Sequence, residues 1–188
     1  MTSVHDTWKI HLAAVIFTLL SIALCRGAGP GGCKITGQSA GAPQGDGPDK
    51  EKLKKLCMDL NIAEYVIFAG AQRQDDIKDY MSIADIFISM NVYGSLNNSL
   101  FEAMICGKTV IALNKGTIKE LIENRKNGIL VEEGEIAKLP EIMNEILMNT
   151  QLREEIGKNA QKYMLENWQS WDERVAYEVD LIEKLISQ

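Results

Sequence analysis

Histidine is almost absent from this chain, and its cysteines are poorly placed for shared chemistry. Two of the 188 residues are histidine, and both, His5 and His11, lie near the N-terminus. The four cysteines, at positions 25, 33, 57 and 106, form no C-x-x-C pair and show none of the spacings typical of zinc sites. We therefore expect no metal site built from cysteine and histidine. We expect Cys57 and Cys106 to be free thiols in a reducing compartment.

The chain also lacks any cluster of lysine and arginine. Residues 1–44 carry Lys9, Arg26 and Lys34 against Asp6, a net charge of +2, so the later residues carry −8 to give the total of −6. Binding to a nucleic-acid backbone needs clustered cations, so we expect no nucleic-acid partner. The composition, 46% hydrophobic and 24% charged, is that of a globular domain with a real core.

An apolar run at residues 10–25 has a length between those of two kinds of targeting segment. A membrane-spanning helix needs about 20 apolar residues, and the core of a signal peptide needs about 7–15. A buried strand or a core helix is the alternative interpretation, and we favour a signal or an anchor over it. We expect the protein to be cytoplasmic or membrane-associated, with residues 10–25 as the segment that would reach a membrane.

A stretch rich in Gly, Pro, Ala and Ser follows Arg26 and ends near Gly45. With almost nothing to pack, it is typical of a linker or an irregular loop. We therefore divide the chain into residues 1–44, an apolar segment plus a linker of unknown structure, and a regular domain at residues 45–188.

From Asp49 onward, short apolar strands alternate with amphipathic helices. Pro48 and an acidic first turn indicate where the first helix starts. Strands that are nearly all apolar and alternate with helices indicate a parallel sheet covered on both faces. We predict an α/β fold with a doubly wound, Rossmann-like parallel sheet. The predicted strands lie in Y-V-I-F-A-G, D-I-F-I-S-M, T-V-I-A-L and G-I-L-V, and three helices follow at residues 136–148, 151–166 and 171–186.

Such sheets bind ligands beyond the carboxyl ends of their strands. The loops there are residues 70–74, 91–98, 114–117 and 132–135. The second loop leads through Asn97, Asn98 and Ser99 into a helix, whose first N–H groups and positive dipole end would suit a diphosphate. Glu102, one turn later, could accept hydrogen bonds from a ribose diol. Without further information, a helix cap and a surface or capping-box glutamate are the commoner interpretation of this spacing.

Several motifs, taken in order, resemble the C-terminal domain of group 1 glycosyltransferases of family 4. They are G-D-G-P-D-K-E-K-L-K-K-L, Y-V-I-F-A-G, S-L-F-E-A-M-I-C-G-K-T-V-I-A, G-T-I-K-E, N-G-I-L-V and S-W-D-E-R-V. The resemblance covers the chain from about Gly45 to its end. It implies a GT-B architecture, in which this domain holds a nucleotide-sugar donor and a separate domain holds the acceptor. It also implies transfer with retention of anomeric configuration, without a metal or other cofactor.

The resemblance assigns roles to individual residues. Glu102 matches the second Glu of a Glu–seven residues–Glu pair and would contact the ribose hydroxyls. The Asn-rich turn before it, with backbone amides of Asn98, Ser99 and Leu100, would contact the diphosphate, and Asn97 belongs to the same turn. Two further residues, Gly70 and Arg73, lie in the loop that would flank the nucleotide base.

The sequence departs from the family at two places. Gly94 stands where the first Glu of the pair, a contact to the donor sugar, is expected. Upstream, two strands and a helix with a phosphate-neutralising Arg and Lys have no recognisable counterpart. With strand order 3-2-1-4-5-6, that loss would leave central strand edges unpaired. We predict a domain incomplete at its N-terminal side, and a marginally stable chain unless residues 15–24, K-I-T-G or a partner chain pairs with the sheet.

Two kinds of function fit these features. The first is the donor-binding half of a retaining glycosyltransferase that moves a hexosyl group from a nucleotide-diphosphate sugar, with an acceptor-domain subunit or a homo-oligomer as partner. The second is a catalytically inactive module that binds a nucleotide or docks on another subunit. The departures leave open whether the chain alone is an enzyme.

Overall fold

A computed structural model describes residues 21–26, 33–38, 50–68, 74–90, 98–168 and 171–186. The strands are β1 (Ser21–Arg26), β2 (Cys33–Gln38), β3 (Val66–Phe68), β4 (Ile86–Ser89), β5 (Thr109–Leu113) and β6 (Ile129–Val131). The helices are α1 (Lys50–Asp59), α2 (Gln74–Ile83), α3 (Asn98–Ile105), α4 (Ile118–Leu121), α5 (Leu139–Met148), α6 (Thr150–Asn167) and α7 (Trp171–Ile186), with 3₁₀ turns at Ala63–Tyr65 and Glu133–Lys138.

The strands form one six-stranded sheet in the order β3-β2-β1-β4-β5-β6. β4, β5 and β6 are parallel, as are β2 and β3, but β1 runs antiparallel to both of its neighbours. The α/β, Rossmann-like fold with a parallel sheet is confirmed, and the antiparallel strand β1 is an addition that lies outside the four predicted strands. Six residues separate Arg26 from Cys33, and a parallel crossover needs a dozen or more, so adjacent strands this close in sequence pair antiparallel.

β1 and β2 occupy the positions that the sequence left unfilled. Residues 21–24 of the apolar run pair with β4, and residues 35–37, within K-I-T-G, pair with β3. Of the three candidates named for this gap, the apolar run and K-I-T-G both supply strands, the first through its residues 21–24. The stretch expected to be a linker contains a strand, which corrects that interpretation for Cys33–Gln38. The boundary at residue 44 stays a prediction, and β1 and β2, which precede it, hydrogen-bond within the sheet to strands that follow it.

Side chains of the parallel strands alternate between two apolar layers. Ile86 and Ile88 lie in one layer and Phe87 in the other, and all three are buried. The first layer is completed by α5 and by Ile156 of α6, and the second by α2, α3, α4 and Met164 of α6. Because helices cover both faces, β4 and β5 are buried at every position, which explains why their sequences are apolar without alternation.

The backbone of α6 packs directly against the backbone of the turn between α3 and β5. Gly107 in this turn has a φ of +69°, a conformation that favours glycine. A Cβ atom at Gly157 of α6 would lie 2.2 Å from the carbonyl oxygen of Gly107, so a side chain has no room there. Next to this contact, the Thr109 hydroxyl donates to the carbonyl oxygen of Arg153 at 2.6 Å, and the Arg153 guanidinium lies 3.3 Å from Asp85. These contacts fix the end of α3 and the start of β5.

The expectations about a membrane stay predictions. The apolar run enters the described residues at Ser21, in β1, and residues 10–20 lie outside them. Within the described part of the chain, no helix has the length and apolar character that crossing a membrane requires.

In α7, every side chain from residue 172 to residue 186 is exposed, including the apolar Val175, Val179 and Ile182.

Candidate functional site

The carboxyl ends of β4, β5 and β6 lie at one edge of the sheet, because the three strands are parallel. Ser89 pairs with Ala112, and Leu113 pairs with Val131, so the strands end almost level. We call this the carboxyl edge. In α/β sheets it is the edge at which ligands bind.

α3 begins at the carboxyl edge with Asn98, as the sequence predicts. Asn98 is exposed and Ser99 is half-buried, whereas the side chain of Leu100 is fully buried in the core. Leu100 can therefore meet a ligand only through its main chain. The first N–H groups of a helix lack partners within the helix and carry partial positive charge, which suits an anion.

Glu102 lies one turn into α3 with its side chain half-buried. Its Oε2 atom is buried and has no hydrogen-bond partner in the part of the chain that the structure describes. Removal from water raises the pKa of the Glu102 carboxyl. The environment thus differs from that of a fully solvated helix glutamate. A binding role for Glu102 stays a prediction.

Four predicted site residues, Asn97, Gly94, Gly70 and Arg73, lie outside the described residues. Their assigned contacts with the diphosphate, the donor sugar and the base stay predictions. Of the predicted set, the structure places Asn98, Ser99, Leu100 and Glu102 together on α3.

Asn114 and Glu132 form a contact at the carboxyl edge that sequence reasoning missed. Asn114 Nδ2 donates to Glu132 Oε1 at 2.5 Å, and the Asn114 main-chain N–H donates to the carbonyl oxygen of Val131 at 2.8 Å. Lys115 adds an ion pair to Glu133 at 3.3 Å. The only signal in the sequence was that Asn114 and Glu132 each come first after an apolar strand, in two of the loops predicted to face a ligand.

Asn114 shares one property with Glu102. Its Oδ1 atom is also buried without a hydrogen-bond partner among the described residues. Both atoms are hydrogen-bond acceptors. A ligand rich in hydrogen-bond donors, such as the hydroxyl groups of a sugar, would complement them.

The sequence of this domain matches a known family along most of its length. Residues 33–163 match the family described as Glycosyl transferases group 1. The chain belongs to this family. The match starts at Cys33, ahead of the resemblance that the sequence motifs showed from Gly45, and so includes β2.

The relatives of this family member are longer proteins. N-acetyl-alpha-D-glucosaminyl L-malate synthase from Bacillus anthracis is 28% identical over 126 residues, which are 67% of this chain and 32% of that protein. The GDP-mannose-dependent alpha-(1-6)-phosphatidylinositol monomannoside mannosyltransferase from Mycobacterium tuberculosis is 27% identical over 146 residues, 73% of this chain and 37% of that protein. This chain therefore spans about a third of the length of these relatives.

A solved structure with a similar fold contains a nucleotide and a sugar. Anabaena Alr3699/HepE, crystallised in complex with UDP and glucose, superposes with a TM-score of 0.61 at 28% identity, over 73% of this chain and 36% of that one. The GT-B relationship expected from the motifs is thereby confirmed.

Metal-binding groups and free thiols can be assessed for the part of the chain that the structure describes. Among the described residues, no group of three or more His, Cys, Asp and Glu side chains is arranged to hold a metal ion. Cys57, which is buried, and Cys106, which is half-buried, are free thiols as predicted.

Proposed function

We propose that this chain binds a nucleotide-diphosphate sugar and supplies the donor-binding half of a retaining hexosyltransferase. The observation that carries the proposal is the Oε2 atom of Glu102, a buried acceptor without a partner in the described structure, one turn into a helix that starts at the carboxyl edge. Leaving such an atom unpaired costs about 1–3 kcal/mol. The hydroxyl groups of a ribose would remove that cost in the complex.

In this proposal, α3 binds the donor along its first turn. The main-chain N–H groups of Asn98, Ser99 and Leu100 hold the diphosphate, because a helix N-terminus directs N–H groups and partial positive charge towards an anion. Glu102 accepts hydrogen bonds from the ribose hydroxyls. A complex of Anabaena Alr3699/HepE with UDP and glucose supports a ligand of this class.

Residues near α3 and β3 in sequence complete the proposed site. Asn97 belongs to the turn at the diphosphate, Gly94 lies beside the transferred sugar, and Gly70 and Arg73 flank the base. During transfer, negative charge develops on the departing diphosphate. Donors aimed at that charge lower the barrier, so the first turn of α3 serves the reaction without a metal ion.

The acceptor would be held by a second domain or subunit, because this chain spans about a third of its relatives. An acceptor-domain subunit or a second copy of this chain would supply it. If residues 10–25 reach a membrane, the acceptor would be lipid-linked and the protein membrane-associated. Otherwise we place it in the cytoplasm, where nucleotide sugars are made.

The alternative is a module that binds nucleotide without transferring sugar, or that docks on a subunit. Gly94, in place of a glutamate that contacts the donor sugar in the family, favours it. Mixing the chain with a nucleotide sugar and following its hydrolysis distinguishes the two. Release of free hexose by wild-type chain, lost in Glu102→Ala, supports the enzyme, whereas binding without release supports the module.

Thermal unfolding with added nucleotides tests the donor site itself. We expect UDP or GDP, or one of their sugars, at about 100 times its dissociation constant to stabilise the chain by about 2.7 kcal/mol. This corresponds to a rise in Tm of about 5–10 °C for a chain of this size. Glu102→Ala removes charge-assisted hydrogen bonds, so it should weaken binding by about 10- to 100-fold.

Glu155→Ala is the matched control, because Glu155 is an exposed glutamate on α6. It should leave the nucleotide-induced rise in Tm unchanged. The donor site is refuted if none of the nucleotides or nucleotide sugars stabilises the wild-type chain.

A further inference from the structure

We propose that Asn114 is a second hydroxyl-binding residue of the donor site, accepting through its Oδ1 atom a hydrogen bond from a sugar hydroxyl of the nucleotide sugar. The inference rests on the proposed function, because it adds a contact to the same site. Asn114 itself is not among the residues that the family resemblance singled out.

The contact with Glu132 fixes which end of the Asn114 amide faces the ligand. A carboxylate only accepts hydrogen bonds, so the NH₂ group of Asn114 must face Glu132 Oε1, 2.5 Å away. The two ends of an amide are usually hard to tell apart, but here the partner decides between them. Oδ1, bonded to the same carbon, is therefore directed away from Glu132.

The backbone at Asn114 is held in place from two sides. Its N–H donates to Val131 at the end of β6, and the next N–H, of Lys115, donates to the carbonyl oxygen of Leu113 at 2.8 Å. Gly116 then turns the chain with a φ of +58°. Because β6 and this turn hold the main chain and Glu132 holds the NH₂ group, Oδ1 is oriented in advance, as a preorganised binding group requires.

Glu102 lies on α3, and Asn114 directly follows β5, the strand that ends the same β4–α3–β5 crossover. Both present an acceptor that is buried and without a partner in the described part of the chain, and the structure records no other side-chain atom of that kind there. Two unpaired acceptors suit a ligand that donates hydrogen bonds through hydroxyl groups. The ribose and the hexose of a nucleotide sugar both carry hydroxyl groups, so either sugar could donate to Asn114.

Calorimetric titration of the full chain tests the inference. The ligands are UDP, UDP-glucose, GDP and GDP-mannose, together with the 2′,3′-dideoxy form of whichever diphosphate binds. We expect Asn114→Ala to weaken binding of the nucleotide sugar by about five- to tenfold, the effect of one lost hydrogen bond to a desolvated acceptor. Asn144→Ala, which changes a half-buried asparagine on α5, should change affinity by less than about twofold.

The ligand series identifies the hydroxyl and separates binding from structure. If the ribose supplies it, the loss appears with the diphosphate and disappears with the dideoxy form. If the hexose supplies it, the loss appears with the nucleotide sugar alone. An equal loss for every ligand, the dideoxy form included, overturns the inference, because Asn114 would then act only through the fold. No loss with any ligand overturns it too.

Two further variants keep the test informative if Asn114→Ala does not fold. Glu132→Ala breaks the contact but keeps the acceptor, so it should cost less affinity than Asn114→Ala, and an equal cost contradicts the inference. The pair Asn114→Asp with Glu132→Gln reverses donor and acceptor and keeps an oxygen at position 114, so we expect affinity within about threefold of wild type.

Failure of the proposed function looks different from failure of this inference. Loss of binding in Glu102→Ala with full affinity in Asn114→Ala removes only the role of Asn114. Absence of nucleotide binding by wild-type chain removes both.

Discussion

The two halves of the sheet are built differently. β4, β5 and β6 are parallel and are covered by helices on both faces. β1, β2 and β3 include a reversed strand, and β3 has three residues with Ile67 exposed. In the parallel half all carboxyl ends meet at one edge, and the candidate site lies there. In the other half, β1 brings its amino end, Ser21, to that edge, beside Ser89 of β4.

The resemblance implies a phosphate-neutralising Arg and Lys upstream of residue 45, so the direction of β1 decides which edge of the sheet its carboxyl end reaches. Arg26, at the carboxyl end of β1, pairs with Cys33. Both residues lie at the edge of the sheet opposite to the carboxyl edge, where α3 begins. The carboxyl end of β1 therefore lies at the edge of the sheet away from the candidate site. This half of the sheet completes the fold, whereas the parallel half holds the groups that would meet a ligand.

The largest effect is expected from proline in the strand that joins the halves. Ala23 pairs with Thr36 on one side and Phe87 on the other. Ala23→Pro removes a ladder hydrogen bond and leaves an acceptor unpaired, at a cost of about 3–4 kcal/mol. Because β1 alone links β2 to β4 in the strand order, hydrogen exchange should show protection lost in β3 and kept in β5.

Ser21→Pro is the control for this substitution. The first residue of a strand tolerates proline better than its middle, so exchange in β3 should change little. Loss of protection in β3 and β5 together in Ala23→Pro would show that the halves unfold as one unit.

A smaller effect is expected from a methyl group inside the parallel half. Gly157→Ala places a Cβ atom against the Gly107 carbonyl oxygen, so α6 must move away from the turn that ends α3. We expect a loss of about 2–3 kcal/mol, as for other overpacked sites, and a fall in Tm of about 5–10 °C. Differential scanning calorimetry measures it.

Gly134→Ala is the matched control, because a Cβ atom there meets nothing within 4 Å. Its Tm should stay within about 2 °C of wild type. Equal Tm values for Gly157→Ala and the wild type would mean that α6 does not brace the turn.

The smallest effect is expected at Glu102, where binding and stability oppose each other. A neutral amide is cheaper to bury than a carboxylate, so Glu102→Gln should raise Tm at pH 7. The carboxyl is only half-buried, and screening by solvent keeps the gain small, about 1–3 °C. The same variant should bind nucleotide more weakly.

The effect of Glu102→Gln on Tm should depend on pH, because the pKa of the Glu102 carboxyl is raised in the folded chain. Burial raises the pKa of Glu102 in the folded chain, so its contribution to stability is fully present below the ordinary glutamate pKa. That contribution is lost as pH rises through the raised pKa. The Tm difference between Glu102→Gln and wild type should therefore grow with pH over this window. Glu155→Gln, on an exposed position, should show no such trend, and a constant difference at Glu102 would contradict the burial effect.

Much of the fold is predictable from local patterns. T-V-I-A-L forms β5, and α7 spans the predicted residues 171–186. The direction of β1 and the strand at Cys33–Gln38 were not predicted, because composition hides a short strand between glycine-rich segments. The antiparallel pairing depends on the length of the connection and on what remains unpaired beside β4, which no local pattern encodes.

The residues of the candidate site also differ in whether the sequence predicts their proximity. Asn98 and Glu102 lie four residues apart on one helix, so spacing alone places them together. Asn114 and Glu132 lie 18 positions apart, and only the register of β5 against β6 brings them into contact. A position that depends on strand pairing between distant segments cannot be read from spacing, so Asn114 was passed over.

The two ends of β1 lie at opposite edges of the sheet. Ser21 lies beside the carboxyl end of β4 and Arg26 lies at the opposite edge, about 17 Å away at the usual rise of an extended strand. A fluorophore attached at position 21 would be next to an arriving ligand, and the same dye at position 26 would stay remote from it. One six-residue strand thus offers both a reporter position and its internal reference.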